Sequence, residues 1–168
     1  MTARIYIVDD DVDHLMALCD LIRTAGHDVR AFETPADLLM AMADPPDMVI
    51  SDLRMPQMDG MGLLRALRQQ ALAVPVVLLT GHGDVAHAVE AIRAGAEDFL
   101  EKPYDSMHLM SVVRRTLEAE AARRAGLLIA ALLEGASLFR GHGRPTDRLP
   151  AGFDTALVSL VRDIVSRA

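Results

Sequence analysis

Residues 48–51 read Met-Val-Ile-Ser, a short and mostly apolar run that a single carboxylate, Asp52, follows directly. Similar short apolar runs recur along the first 105 residues, at 5–8, 29–32, 76–79 and 99–100. The segments between them carry apolar residues at helical spacing. Short apolar strands that alternate with amphipathic helices are typical of a parallel sheet covered on both faces, so the sequence predicts an α/β fold with five strands.

Capping residues mark several of the predicted helices. The predicted helices span residues 13–25, 34 onward, 62–69, 85–94 and 106–124. Gly26 follows the first helix as a C-terminal cap, and Thr34 supplies an N-terminal capping hydroxyl to the second. Gly126 is expected to interrupt the fifth helix, because glycine is a weak helix former.

The chain has 168 residues, enough for one domain and a helical appendage. Residues 1–124 hold 12 basic and 20 acidic side chains, whereas residues 125–168 hold 5 and 4. The tail is expected to be helical at 127–139, to form a Gly/Pro loop at 141–152, and to end in an amphipathic helix at 154–167. An acidic domain is a poor nucleic-acid binder, so we expect no direct nucleic-acid binding from it.

Several classes of protein are disfavoured by what the sequence contains. Cys19 is the only cysteine, which leaves no disulfide framework, and it is expected to fill the core. The longest uncharged apolar run in the tail, residues 125–133, is far shorter than the roughly 20 residues of a membrane span, so we expect a soluble cytoplasmic protein. Lys102 is the only lysine, so no Gly-Lys-Ser/Thr phosphate loop and no ATPase is expected, and the tail shows no clear DNA-binding motif.

Polar side chains follow four of the predicted strands where those strands end. They are Asp9, Asp10, Asp52, Thr80 and Lys102. Because the carboxyl ends of parallel strands meet at one edge of a sheet, these side chains are expected to share one pocket. Three crowded carboxylates repel one another unless a cation neutralises them, and oxygen ligands favour Mg²⁺.

This set of groups suits phosphoryl transfer to a carboxylate. Asp52 is the expected acceptor, while Thr80 and Lys102 would hold the oxygens of the transferred group. Asp11 is expected to serve the N-terminus of the first helix. The six histidines show no ligand spacing on one element and are expected at the surface.

The same residues resemble a known family, the receiver domains of two-component response regulators. The matching motifs are Val8-Asp9-Asp10, Ser51-Asp52-Leu53-Arg54-Met55-Pro56, Met58-Asp59-Gly60, Leu79-Thr80-Gly81-His82-Gly83 and Phe99-Leu100-Glu101-Lys102-Pro103. The resemblance covers residues 1–124 and is nearest to the nitrogen-regulation and dicarboxylate-transport types or the nitrogen-fixation type. It leaves residues 125–168 as a helical tail of unknown role.

The resemblance implies a flavodoxin-like, doubly wound sheet with strand order 2-1-3-4-5, and phosphorylation of Asp52 by a sensor histidine kinase. Asp10, Asp52 and the backbone carbonyl of Arg54 would ligate Mg²⁺, with Asp9 acting through water. Phe99 stands at the position of the family's switch aromatic, which responds to Thr80. The chain would then be a phospho-acceptor switch and not an enzyme with a separate substrate, and its output would be dimerisation or contact with a downstream protein.

Three alternatives stay open at the level of sequence. A haloacid-dehalogenase-type Mg²⁺ phosphatase would use the Asp9-x-Asp11 motif, although it leaves Asp52 without a role. A binding module with the receiver shape would never be phosphorylated. The chain is also compatible with a receiver remnant of a larger transcription regulator.

Overall fold

The structure, a computed structural model, describes residues 2–81 and 85–140 of the chain. The described strands are β1 Arg4–Val8, β2 Asp28–Phe32, β3 Met48–Asp52, β4 Val76–Thr80 and β5 Asp98–Glu101. They form a parallel sheet in the order β2-β1-β3-β4-β5, with Asp52 of β3 paired to Leu79 of β4. The predicted fold class and strand order are therefore confirmed.

Helices connect the strands. They are α1 Val12–Thr24, α2 Pro35–Met40, α3 Gly60–Gln69, α4 Val85–Arg93 and α5 Ser106–Arg140, and a 3₁₀ turn at Ala41–Ala43 follows α2. The side chain of Asp11 caps α1 by accepting a hydrogen bond from the backbone N–H of His14 at 3.1 Å, as expected. The hydroxyl of Thr34 caps α2 in the same way, accepting from Asp37 N at 3.2 Å.

The core lies on both faces of the sheet, because alternate residues of a strand point to opposite sides. Ile5 and Ile7 of β1 belong to one buried cluster together with residues of α1 and α5. Tyr6 and Val8 belong to a second cluster, with residues of α2 and α3. Cys19 is fully buried in the first cluster, so its predicted role as core filling is confirmed.

Gly126 does not interrupt α5, so that prediction was wrong. The helix runs from Ser106 to Arg140 through this residue. A single glycine costs a helix only about 1 kcal/mol relative to alanine, and the flanking alanine, leucine and arginine residues are strong helix formers. The predicted tail loop at 141–152 and helix at 154–167 lie outside the described residues.

The chain divides into two compact units, Met1–Leu117 and Glu118–Ala168. Within the second unit, the carboxylate of Glu120 accepts a hydrogen bond from Arg124 Nε at 2.8 Å, four residues further along the helix. Such pairs stabilise a helix by a few tenths of a kcal/mol. Among the described residues, no helix has the length and apolar character needed to cross a bilayer.

Candidate phosphoryl-acceptor pocket

Three carboxylates lie together at the carboxyl edge of the sheet. Asp9 and Asp10 follow β1, Asp52 ends β3, and one oxygen of each lies within 4.8 Å of the others. Asp9 and Asp52 are 1% and 7% exposed, whereas Asp10 is open to solvent. Anions this close and this buried require a positive charge, so the group could hold a metal ion.

Lys102 reaches the same group of acids from the end of β5. Its ammonium nitrogen Nζ lies 2.5 Å from Asp52 Oδ1 and 3.2 Å from Asp9 Oδ2. Burial by itself would lower the pKa of Lys102, but the hydrogen bonds to Asp52 and Asp9 and their negative charges outweigh it, so the pKa is raised. The Lys102-Pro103 peptide bond is cis, and Lys102 N donates to Thr80 O at 2.7 Å.

Backbone contacts fix Asp52 in place. Its Oδ2 atom accepts a hydrogen bond from Arg54 N at 2.8 Å, so its two oxygens have different partners. A methyl group added to Gly60 would lie 2.5 Å from the backbone oxygen of Asp52. The loop after β3 can therefore pass this close to the strand only because residue 60 has no side chain.

Thr80 lies on β4, which neighbours β3, and Phe99 lies on β5, on the far side of β4. Thr80 ends β4 and is 2% exposed, and its hydroxyl donates to Leu100 O at 3.4 Å. Phe99 lies in β5 and packs, partly buried, against the cluster that contains Leu78. The structure thus brings Asp9, Asp10, Asp52 and Lys102 together, while the Thr80 hydroxyl contacts the carbonyl of Leu100.

His14 is a pocket residue that the sequence analysis placed at the surface. Its ring nitrogen Nδ1 lies 2.5 Å from Asp9 Oδ2, and Nε2 lies 2.6 Å from the hydroxyl oxygen of Tyr104. Tyr104, two residues after Lys102, was not singled out either. Spacing gave no signal for this pair, because 90 residues separate His14 from Tyr104 in the chain.

The other histidines fit the surface expectation in part. His87 and His108 are exposed, while His27 is partly buried and its Nδ1 accepts a weak hydrogen bond from Ala3 N at 3.4 Å. Burial lowers the pKa of His27, and the positive N-terminus adds to the effect. His82 and His142 lie outside the described residues.

A doubly wound parallel sheet with a carboxylate pocket and a lysine at its carboxyl edge defines the class of receiver-type α/β domains. The family model described as "Response regulator receiver domain" matches residues 5–114. The chain belongs to this family, the receiver domains of two-component response regulators. The phosphatase alternative is not supported, since Asp11 caps α1 and Asp52 belongs to the acid group and contacts Lys102.

Relatives and solved structures agree with this family. The chain is 47% identical over 116 residues to the C4-dicarboxylate transport transcriptional regulatory protein DctD of Pseudomonas aeruginosa, covering 68% of this chain and 25% of DctD. It is 36% identical to the transcriptional regulatory protein FixJ of Bradyrhizobium diazoefficiens, covering 98% of this chain and 82% of FixJ. The crystal structure named FixJ-N matches with a TM-score of 0.67 at 34% identity, covering 70% of this chain and 95% of that structure. Both expected subgroups are therefore represented among the relatives.

Proposed function

We propose that Asp52 accepts a phosphoryl group from the phosphohistidine of a sensor histidine kinase. The observation that carries this proposal is the contact between Lys102 Nζ and Asp52 Oδ1 at 2.5 Å, at the edge of a group of three carboxylates. A cation that already touches the acceptor carboxylate is placed to meet the new negative oxygens once the phosphoryl group arrives.

The acid group fits Mg²⁺ by its donor chemistry. Asp10 and Asp52, with the backbone carbonyl of Arg54, would hold the ion, and Asp9 would act through water. Hard carboxylate oxygens suit Mg²⁺, and Lys102 brings a single positive charge to three carboxylates. Bound Mg²⁺ supplies neutralisation of the charge that develops on the transferred group.

The transfer itself exchanges one bond for another. A carboxylate oxygen of Asp52 attacks phosphorus, the new O–P bond forms, and the N–P bond to the kinase histidine breaks, with its electron pair returning to the imidazole. Arg54 N holds Oδ2 of the attacking carboxylate. Lys102 moves with the negative charge, and the hydroxyl of Thr80 donates to a phosphoryl oxygen.

The switch follows from the charge that is added. An aspartyl phosphate brings extra negative charge and new acceptor oxygens. When the Thr80 hydroxyl turns to the phosphoryl group, it leaves the carbonyl of Leu100, which it contacts at 3.4 Å. Phe99, the neighbour of Leu100, then rotates into the vacated space, and the surface of α4 and β5 changes. This makes the chain a phospho-acceptor switch that catalyses only its own phosphorylation and dephosphorylation.

The output of the switch concerns transcription, as the names of the DctD and FixJ relatives indicate. The chain spans 25% of the length of DctD, and the alignment with FixJ extends through the tail. We place the receiver at residues 1–124 and assign residues 125–168 to protein contacts, either with a second copy of the chain or with a downstream protein. Light scattering with and without beryllium fluoride, a phosphoryl analogue, tests whether phosphorylation drives dimerisation.

The acceptor assignment is tested by intact mass after incubation with Mg²⁺ and a small phosphodonor such as acetyl phosphate. Wild type is expected to gain one phosphoryl group, and Asp52→Asn none. Asp37→Asn is the matched control, since Asp37 lies in the first turn of α2 and is not one of the three grouped carboxylates. An adduct on both wild type and Asp52→Asn would refute the site.

A further inference from the structure

The proposed phosphoryl chemistry leaves two groups of the pocket without a role. The imidazole of His14 lies between Asp9 and Tyr104, with Nδ1 2.5 Å from Asp9 Oδ2 and Nε2 2.6 Å from the Tyr104 hydroxyl. The His14 side chain is only 26% exposed. The rings of His14 and Tyr104 meet edge to face, with centroids 5.9 Å apart.

Hydrogen-bonding capacity constrains the protons of this contact. An ionised carboxylate only accepts hydrogen bonds, so Nδ1 of His14 carries the proton that Asp9 receives. Burial raises the pKa of Tyr104, and the negative charges of Asp9 and Asp52 raise it further against the opposing effect of Lys102, so Tyr104 keeps its hydroxyl proton. In a neutral His14 ring the hydroxyl donates to Nε2, and the contact holds the orientation of the ring.

Asp9 is held at both of its oxygens. Oδ1 accepts from Asp11 N at 2.9 Å, and Oδ2 accepts from His14 and from Lys102. Lys102, however, is shared with Asp52 and moves to the phosphoryl oxygens in the proposed reaction. Once Lys102 leaves, the contact of His14 with Oδ2 remains.

We infer that His14, aligned by Tyr104, is a positioning residue that holds the Asp9 carboxylate in the orientation in which it serves a divalent cation. This inference rests on the proposed phospho-acceptor function. Residues that hydrogen-bond to a metal-binding carboxylate without touching the metal contribute strongly to metal affinity. Removing one typically weakens binding by about 10- to 100-fold. Asp9 would act through water, so the lower end of that range applies.

The experiment is an NMR titration of the full chain with MgCl₂, in wild type and in variants of the two residues. His14→Leu is expected to weaken Mg²⁺ binding by roughly 10-fold. His14→Asn is expected to recover most of the affinity, because the amide nitrogen of asparagine can stand where Nδ1 stands. Tyr104→Phe should give a smaller loss in the same direction and a changed imidazole ¹⁵N pattern for His14. His108→Leu, at an exposed histidine of α5, should bind Mg²⁺ as wild type does.

Three outcomes would overturn the inference. They are unchanged affinity in His14→Leu, tighter binding in His14→Leu, or an asparagine variant as weak as the leucine variant. If His14→Leu fails to fold by circular dichroism, the asparagine and Tyr104→Phe variants decide, since each keeps a polar or aromatic side chain of similar size.

Intact mass of the same samples separates this inference from the function on which it rests. A wild type that gains no phosphoryl group at saturating Mg²⁺ contradicts the proposed function. A wild type that is phosphorylated, combined with His14 variants of unchanged Mg²⁺ affinity, contradicts the positioning role alone.

Discussion

The ammonium of Lys102 lies 2.5 Å from an oxygen of Asp52, although the two residues belong to different strand ends, 50 positions apart in the sequence. The contact crosses β4, which separates β3 from β5 in the sheet. It brings a positive charge to the proposed phosphoryl acceptor before any ligand binds. The free energy of unfolding and the affinity for Mg²⁺ should therefore both depend on this ion pair.

Replacing Lys102 with Met is expected to lower the free energy of unfolding in the absence of Mg²⁺ by about 1–2 kcal/mol, because Asp9 and Asp52 lose their common cation. Adding Mg²⁺ should stabilise this variant more than wild type, since the metal restores the missing charge. Urea unfolding with and without MgCl₂ measures both effects. The control is Arg65→Met, which removes an exposed ion pair with Glu90 and should cost less than about 1 kcal/mol. Equal Mg²⁺ stabilisation of wild type and Lys102→Met would contradict the linkage.

Gly60→Ala is expected to destabilise the receiver by about 2 kcal/mol, because the new methyl group would lie 2.5 Å from the Asp52 oxygen and 3.0 Å from a methyl of Leu78. Thermal unfolding followed by circular dichroism gives the change. Gly126→Ala is the matched control, since nothing lies within 4 Å of that position in α5. There the same substitution should stabilise the helix by about 0.5–1 kcal/mol. A neutral Gly60→Ala would show that the loop after β3 can shift without cost.

Arg68→Lys is expected to destabilise the fold by about 1–3 kcal/mol, because one guanidinium serves three backbone carbonyls. Its nitrogens donate to Leu72 O at 2.8 Å, Val74 O at 3.0 Å and Gly95 O at 2.8 Å. The contacts join α3 to the loop before β4 and to the loop between α4 and β5. Urea unfolding of Arg68→Lys beside Arg65→Lys measures the difference, and equal stability of the two variants would contradict the role of the guanidinium.

The thiol of Cys19 is expected to react with a disulfide reagent only when the chain opens. Cys19 is fully buried, and burial raises the pKa of the thiol, with Asp20 adding to the shift and Arg23 opposing it. Because the folded state holds the thiol proton more tightly than the unfolded chain does, the free energy of unfolding is highest below the usual thiol pKa. It falls as pH rises from that value through the higher pKa of the folded state. Because the buried thiol is reached only in the opened chain, the rate of labelling with Ellman's reagent at pH 8 should rise with urea concentration in parallel with unfolding. Rapid labelling of the native chain would place the thiol at an accessible position.

Local sequence patterns predicted the elements and most of the pocket. The apolar runs gave the five strands to within one residue at each end. Capping by Asp11 and Thr34 followed from short-range hydrogen bonding within one helical turn. The pocket residues could be predicted because the carboxyl ends of parallel strands meet at one edge of the sheet, whatever the register between neighbouring strands. These residues are Asp9, Asp10, Asp52, Thr80 and Lys102.

By itself, then, the sequence determined the α/β fold and the residues of the acid pocket, since strand period, capping and strand-end position are local properties of the chain. Only the tertiary structure decided that α5 continues through Gly126 and that His14 joins Asp9 to Tyr104. The position of His14 depends on the packing of α1 beside the loop after β5, a contact between distant parts of the chain. No local pattern encodes such a contact, because its free energy arises only when the sheet has brought both elements to the same edge.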